Sequence, residues 1–347
     1  MKNASVLIFA YNRETFLTEA INSVLSQVNN ENDVEVIVST CFQIIEIRDT
    51  FNDKKNLKFL EFPKETEYGD QFIKTFDSSS GEVIFILEYD DLFFPWKIGK
   101  IIELFNGSDK IVCVKDRIKK FTDIEECPAI IKTLKNRDIE FELFELDNSY
   151  RTYKAFSDIG LWAQPSSMAF RRIVIEKNRD IILCSHPMDI MLGIAIINIG
   201  GQCAVSNLPL TLYRVHLLNE SALFQPVKDK NGYGRIKRTL ERYKNGLHCA
   251  YTKSHNYPFF SRVMVGEYYT STMVMAEAVS GKRFLSFFFA LFYIVIQFAK
   301  ETISEVNCTV VKSIEKVKWY TYFAKRITVS VIFSMMIFFR YRKLVLV

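Results

Sequence analysis

Three carboxylates close one apolar run, Phe85-Ile86-Leu87-Glu88-Tyr89-Asp90-Asp91. Ending a buried strand on Glu88, Asp90 and Asp91 concentrates like charge, which a hard divalent cation relieves. Such an ion draws part of its shell from carboxylates and the rest from water and substrate phosphates. The motif therefore points to Mg2+ or Mn2+ bridging a diphosphate. Far downstream, Arg214 and His216 stand two residues apart in Leu212-Tyr213-Arg214-Val215-His216, and on an extended backbone both side chains leave one face. A guanidinium suits phosphate, and a neutral imidazole suits a metal ion. The residues alone leave plainer alternatives open: a solvated acidic turn, a surface arginine and a hydrogen-bonded histidine.

In open α/β sheets, ligands bind beyond the carboxyl ends of the strands, so these residues need a wound sheet behind them. The first hundred residues carry its pattern, with short β-branched runs alternating with helical periodicity. Residues 5–10, 34–38, 57–62, 82–87 and 111–114 read as strands. Leu17, Ala20, Ile21, Val24 and Leu25 recur at helical spacing over residues 14–27. Residues 68–76 read as a helix closed by Ser78-Ser79-Ser80-Gly81, and Pro95 opens another through Phe105. Residues 116–160 are polar and irregular in period, the pattern of a variable insertion. A strand over residues 166–170 follows, then a helix over 188–199 stopped by Gly200-Gly201.

The chain has 347 residues, is 49% hydrophobic, and carries 45 Lys and Arg against 40 Asp and Glu. That is the makeup of a folded chain of two domains, or of one with an appendage. Residues 300–347 hold nine basic and three acidic side chains, which exceeds the net +5 of the whole chain. The remainder has no basic face to follow a phosphate backbone, so no nucleic-acid partner is expected. Seven cysteines, never spaced as CxxC, argue against a zinc ribbon or disulfide framework and read as reduced, mostly buried thiols. No glycine lies between Ala10 and Thr15, which excludes the dinucleotide-binding fingerprint.

Past about residue 225 the chain turns helical, aromatic and basic. Residues 284–299 and 327–339 hold no charge and are bracketed by Lys282-Arg283, Lys300, Lys325-Arg326 and Arg340. As helices they would reach about 24 Å and 20 Å, short of a hydrocarbon core of about 30 Å. Lying in the interface, with the cations on anionic head groups, suits them better than spanning. A hairpin buried in the protein or a dimer interface is the alternative. The expected location is the cytoplasmic face of a membrane, reached through residues 281–347, with residues 221–280 as a helical linker.

The stretch Val6-Leu7-Ile8-Phe9-Ala10-Tyr11-Asn12-Arg13, followed by Ala20-Ile21-Asn22-Ser23-Val24-Leu25-Ser26-Gln27, resembles the opening of family 2 glycosyltransferases of the GT-A fold. Gly81-Glu82 with the strand to Asp91 and Pro95 resembles their Gly-Glu strand and Asp-x-Asp motif. Met188-Asp189-Ile190-Met191-Leu192, Gly200-Gly201 and Pro209 to His216 resemble their acceptor-side segment. The three matches come in the family's order over roughly residues 4 to 220.

The resemblance implies an α/β GT-A fold with a mostly parallel sheet over residues 1–220, and inverting transfer of a sugar from a nucleotide diphosphate to an acceptor hydroxyl. It implies Tyr11, Asn12 and Arg13 beside base and ribose, Glu88 at ribose or metal-bound water, and Asp90 on Mg2+ or Mn2+ with Asp91 in support. Arg214 and His216 would meet diphosphate or metal. Asp189, the only acid between Asp180 and Glu220, would be the base; its plainer reading is a helix N-terminal Asp favoured by the macrodipole. A tail docked on lipid suggests a lipid-linked glycan or a surface polysaccharide precursor as acceptor. Where the family often has Asp-Asp-Gly-Ser, this chain has Ser39-Thr40-Cys41-Phe42. That departure motivates the alternative of a catalytically impaired nucleotide-sugar-binding or scaffold protein on the same fold.

Overall fold

The computed structural model describes residues 3–11, 14–28, 33–147, 164–216 and 230–254, together with Val265, Tyr269, Thr272 and Ala276. The chain divides into two units, residues 1–148 with 152–219, and residues 149–151 with 220–347.

Among the described residues of the first unit, nine strands form one sheet: β1 (Ala4–Ala10), β2 (Val34–Thr40), β3 (Leu57–Glu61), β4 (Val83–Glu88), β5 (Leu92–Phe93), β6 (Ile111–Phe121), β7 (Phe141–Glu145), β8 (Met168–Arg171) and β9 (Gln202–Arg214). Their order is β3-β2-β1-β4-β8-β6-β9-β5, with β7 also paired to β9. β3, β2, β1 and β4 run parallel, as do β6 and β9. β8 runs antiparallel between β4 and β6, and β5 and β7 run antiparallel to β9. The expected mostly parallel α/β sheet is present.

Every residue of β1 is buried, because helices cover both faces, and a strand buried on both faces reads as a continuous apolar run. The helices are α1 (Leu17–Leu25), α2 (Ile45–Thr50), α3 (Tyr68–Asp77) and α4 (Lys97–Gly107). Val6, Ile8 and Ala10 share a core with Leu17, Ala20, Ile21 and Val24 of α1 and with Ile98, Ile101 and Phe105 of α4. On the opposite face Phe9 stacks on Phe72 of α3, with ring centroids 5.1 Å apart. Gly81 meets the need for close approach at the start of β4. A Cβ there would lie 2.3 Å from the Ala4 carbonyl carbon, and its N–H donates to Ser5 Oγ at 2.8 Å.

Residues 116–147 are more regular than their polarity suggests. β6 runs on to Phe121, α5 (Cys127–Leu134) follows, and β7 joins the sheet at β9. The outer half of β6 exposes Arg117, Lys119 and Lys120 while burying Phe121, so its polarity is that of a half-exposed strand. Two short helices, α6 (Ile173–Glu176) and α7 (Arg179–Ile182), lead to α8 (Met188–Ile199). α8 is apolar around nearly its whole circumference and correspondingly interior. Gly200 and Gly201 then take φ of 73° and 91°, which glycine adopts without steric cost.

Cys41, Cys113, Cys127 and Cys203 are free and buried.

In the second unit, α9 (Lys230–Lys253) buries Ile236, Leu240, Leu247 and Ala250. Among the described residues no helix is long and apolar enough to cross a membrane. The apolar stretches at 284–299 and 327–339, with all of residues 281–347, lie outside the described residues.

Candidate active site

β1 and β4 end side by side, Phe9 opposite Glu88, and the Tyr89 N–H donates to the Phe9 carbonyl at 3.0 Å. The chain beyond β4 is tied to β9 by two cross-strand pairs, Leu92 with Leu212 and Phe93 with Thr211. This pairing delivers the end of β9 to the Asp90–Asp91 turn, across more than 120 residues of sequence. His216 Nε2 lies 2.9 Å from Asp90 Oδ2. The Arg214 backbone N–H donates to Asp91 Oδ1 at 3.1 Å, and Arg214 Nε donates to the Asp90 carbonyl at 2.9 Å. Arg214, at the end of β9, and His216, just past it, thus converge on the two acids that follow β4.

Two of these residues lie deeper than the other two. Arg214, expected to meet a diphosphate, is 3% exposed. Its guanidinium pairs with Glu19 and lies between the rings of Phe16 and Phe121, 4.2 Å and 4.5 Å from their centroids. It braces the acidic turn from inside through its bonds to Asp90 and Asp91. Asp91, expected on the donor side, is likewise buried behind the turn. Burial first, and then the neighbouring Asp90 charge, push its pKa up to about 8. Its carboxylate accepts the Arg214 N–H within the turn, while Glu88 and Asp90 are half-buried.

A buried ionic network backs this turn, and none of its charged members was singled out from sequence. Lys97, at the head of α4, is fully buried, with Nζ 2.6 Å from Asp116 Oδ2 of β6. Nζ also donates to the Ser166 carbonyl and to Thr211 Oγ1, both at 2.7 Å. The Ser166 hydroxyl in turn accepts the Glu88 N–H at 3.0 Å. Burial lowers the Lys97 pKa and raises that of Asp116, while their mutual attraction opposes both shifts. Lys115, one residue before Asp116, binds the Ser167 hydroxyl. Burial pulls its pKa down to about 8, against support from Asp116 and Asp189. The available signal was register: Lys97 falls on the same helical face as Ile101 and Phe105. Removing one partner of a buried pair strands the other charge, at a cost of about 3–5 kcal/mol. Lys97→Met should therefore lower the urea midpoint by that much stability, and Lys97→Met with Asp116→Leu should restore most of it.

Glu88, half-buried at the end of β4, accepts a hydrogen bond from the Tyr68 hydroxyl at 2.6 Å. Tyr11, also half-buried, stands just past β1. Asn12 and Arg13 lie outside the described residues. Asp189 sits in the first turn of α8, where its Oδ1 accepts the Ile190 N–H at 2.9 Å.

Among the described residues, no group of three or more His, Cys, Asp and Glu forms a cage for a metal ion. Asp90 and His216, 15–16% exposed at the side chains, are candidate donors that lie together. A cation can replace the proton that a carboxylate and an imidazole share. Two protein donors fit an ion that takes its remaining ligands from water and substrate phosphate, the usual habit of Mg2+ and of similar oxygen-seeking ions.

The class of the protein follows from its sequence match. Residues 5–178 match the model of glycosyl transferase family 2, half of the chain, and they take in β1 from Ser5 onward, β2 to β8 and the whole Glu88–Asp91 turn. The chain belongs to that family. An uncharacterized glycosyltransferase of Nostoc sp., alr2836, is 31% identical over 117 residues, which are 31% of this chain and 34% of that protein. The match thus spans about a third of the curated relative. The crystal structure of TarS from S. aureus superposes with a TM-score of 0.51 at 15% identity, covering 80% of this chain and 43% of that one. TarS 1-349 in complex with UDP gives 0.52 at 14% identity, covering 99% and 92%. These two likenesses establish the fold.

Proposed function

We propose that the chain is an inverting glycosyltransferase moving a sugar from a nucleotide-diphosphate donor to an acceptor hydroxyl. The observation that carries this reading is the meeting of Asp90 and His216 at 2.9 Å, braced by Arg214 and the buried Asp91. The UDP bound to the TarS structure favours a uridine nucleotide as the first donor to try. Tyr11 and Glu88, at the ends of adjacent strands, would line the nucleoside side. Asp90 and His216 would hold Mn2+ or Mg2+ against the diphosphate, and an ion held there supplies positive charge to the leaving group. Asp189 takes the proton of the acceptor hydroxyl as its oxygen attacks the anomeric carbon. In the same displacement the bond from that carbon to the diphosphate oxygen breaks, which inverts the configuration.

The test is turnover by the full chain with UDP-, GDP- and dTDP-sugars plus Mn2+, read as release of nucleoside diphosphate. Release from at least one donor is expected. Donor binding without release across the panel would instead favour the binding or scaffold reading.

The basic brackets around the apolar stretches at 284–299 and 327–339 support a membrane-surface location on the cytoplasmic side. A lipid-linked glycan or polysaccharide precursor is the acceptor that this location favours. The full chain should sediment with vesicles containing phosphatidylglycerol and much less with phosphatidylcholine alone, since each cation near an anionic surface contributes about 1 kcal/mol. Equal sedimentation with both, or with neither, argues for internal packing of those stretches.

A further inference from the structure

Tyr68 heads an aromatic stripe on α3 with Phe72 and Phe76, spaced four residues apart. Its ring stands edge-on to Phe9 of β1, with centroids 5.6 Å apart. Packing accounts for a ring at this position, and phenylalanine, used at the next two positions of the stripe, would supply it. The hydroxyl needs a separate account. It donates to Glu88 Oε1 at 2.6 Å, on the acid that ends β4.

The same ring meets the acceptor-side loop. Tyr68 stacks on His186 with centroids 5.7 Å apart and planes 29° from parallel, three residues before Asp189. The join is tight at the next residue as well. The Gly69 N–H donates to Ser185 Oγ at 2.9 Å, and a Cβ on Gly69 would lie 2.6 Å from the Ile182 carbonyl oxygen. The first turn of α3 is therefore wedged between the strand end that carries the acidic turn and the loop that carries Asp189. Neither neighbour is close to Tyr68 in sequence.

We propose that Tyr68 is a positioning residue for sugar transfer, its hydroxyl fixing Glu88 and its ring fixing His186. The donor-side acid and the loop leading to Asp189 are thereby held in one register. The inference rests on the transferase reading given above. Within it the two halves of the side chain have separable effects. The hydroxyl orients Glu88 toward the nucleotide, so it acts on donor binding. The ring orients the loop that presents Asp189, so it acts on the chemical step. A hydrogen bond to a charged group is strong enough that its loss should change an affinity about tenfold.

The test uses the full chain with Mn2+, and measures UDP affinity by calorimetry, donor KM and kcat by diphosphate release, and the thermal midpoint. Tyr68→Phe should raise the UDP Kd and the donor KM about tenfold while leaving kcat and the midpoint near their wild-type values. Tyr68→Leu should show the same rise and also lose kcat by about tenfold or more, since mispositioning at a distance has effects of that order. In a double-mutant cycle, Tyr68→Phe on a Glu88→Gln background should add nothing to the Glu88→Gln loss of UDP affinity. Wild-type affinity in Tyr68→Phe overturns the proposal. So does an additive cycle, or a fall in kcat and affinity that merely follows a lowered midpoint. If wild type binds UDP but releases no diphosphate from any donor, the transferase reading fails, yet the cycle on UDP affinity still decides the Tyr68–Glu88 link. If wild type binds neither UDP nor GDP, both readings fall.

Discussion

Asp189→Asn should lower kcat by about 10³-fold and leave UDP affinity and stability close to wild type. The substitution keeps the volume of the side chain. It also keeps an oxygen that can accept the Ile190 N–H now bound by Asp189 Oδ1, so the first turn of α8 is undisturbed. What disappears is the capacity to take a proton. The nearby Lys115, whose pKa burial already draws down to about 8, also loses a supporting charge and should titrate lower still. Single-turnover kinetics with a donor and acceptor extract separates this outcome from the plainer role of a helix N-terminal acid. That role predicts unchanged kcat and a stability loss of about 0.3–1 kcal/mol.

Asp90→Ala should reduce kcat/KM by about 10²–10³-fold, the size of effect seen when one group stabilising transition-state charge is lost. The change is confined to the side chain, because the Asp90 carbonyl that receives Arg214 Nε is backbone and survives. Removing the charge also relieves the repulsion that helps to raise the Asp91 pKa, so the buried brace should tolerate the substitution. Stability should therefore hold while activity and its dependence on added Mn2+ are lost together. A Mn2+ titration of activity in wild type and Asp90→Ala checks this. Equal saturation curves would move any metal away from Asp90.

Much of the scaffold was legible because buried parallel strands are continuous apolar runs, and those of β1, β2 and β4 stand out from their helices. The Glu88–Asp91 cluster was legible because three acids at a strand end conflict with burial, and such a conflict marks a site. The partner of Arg214 was not legible. Glu19 lies 195 residues away, on the face of α1 that the apolar periodicity leaves unread, and Phe16 and Phe121 complete the enclosure from two other elements. The pairing of Lys97 with Asp116 escaped for a related reason. A lysine at a helix start reads as a solvated end, since its long stem can carry the charge to water, and only the fold shows that water is absent. Ser39, one of the residues standing where an acid was expected, is explained by burial as well. Its hydroxyl receives Gln71 Nε2 and Thr75 Oγ1, each at 2.9 Å, so α3 covers it.

The most direct test of the account is a crystal structure of the full chain with UDP and Mn2+, collected to locate manganese by its anomalous signal. Manganese is expected on the Asp90 carboxylate and His216, beside the diphosphate of UDP, with Asp189 across the cavity where the sugar would sit. Manganese bound elsewhere, or UDP seated in a cavity that Asp189 does not share, would contradict it.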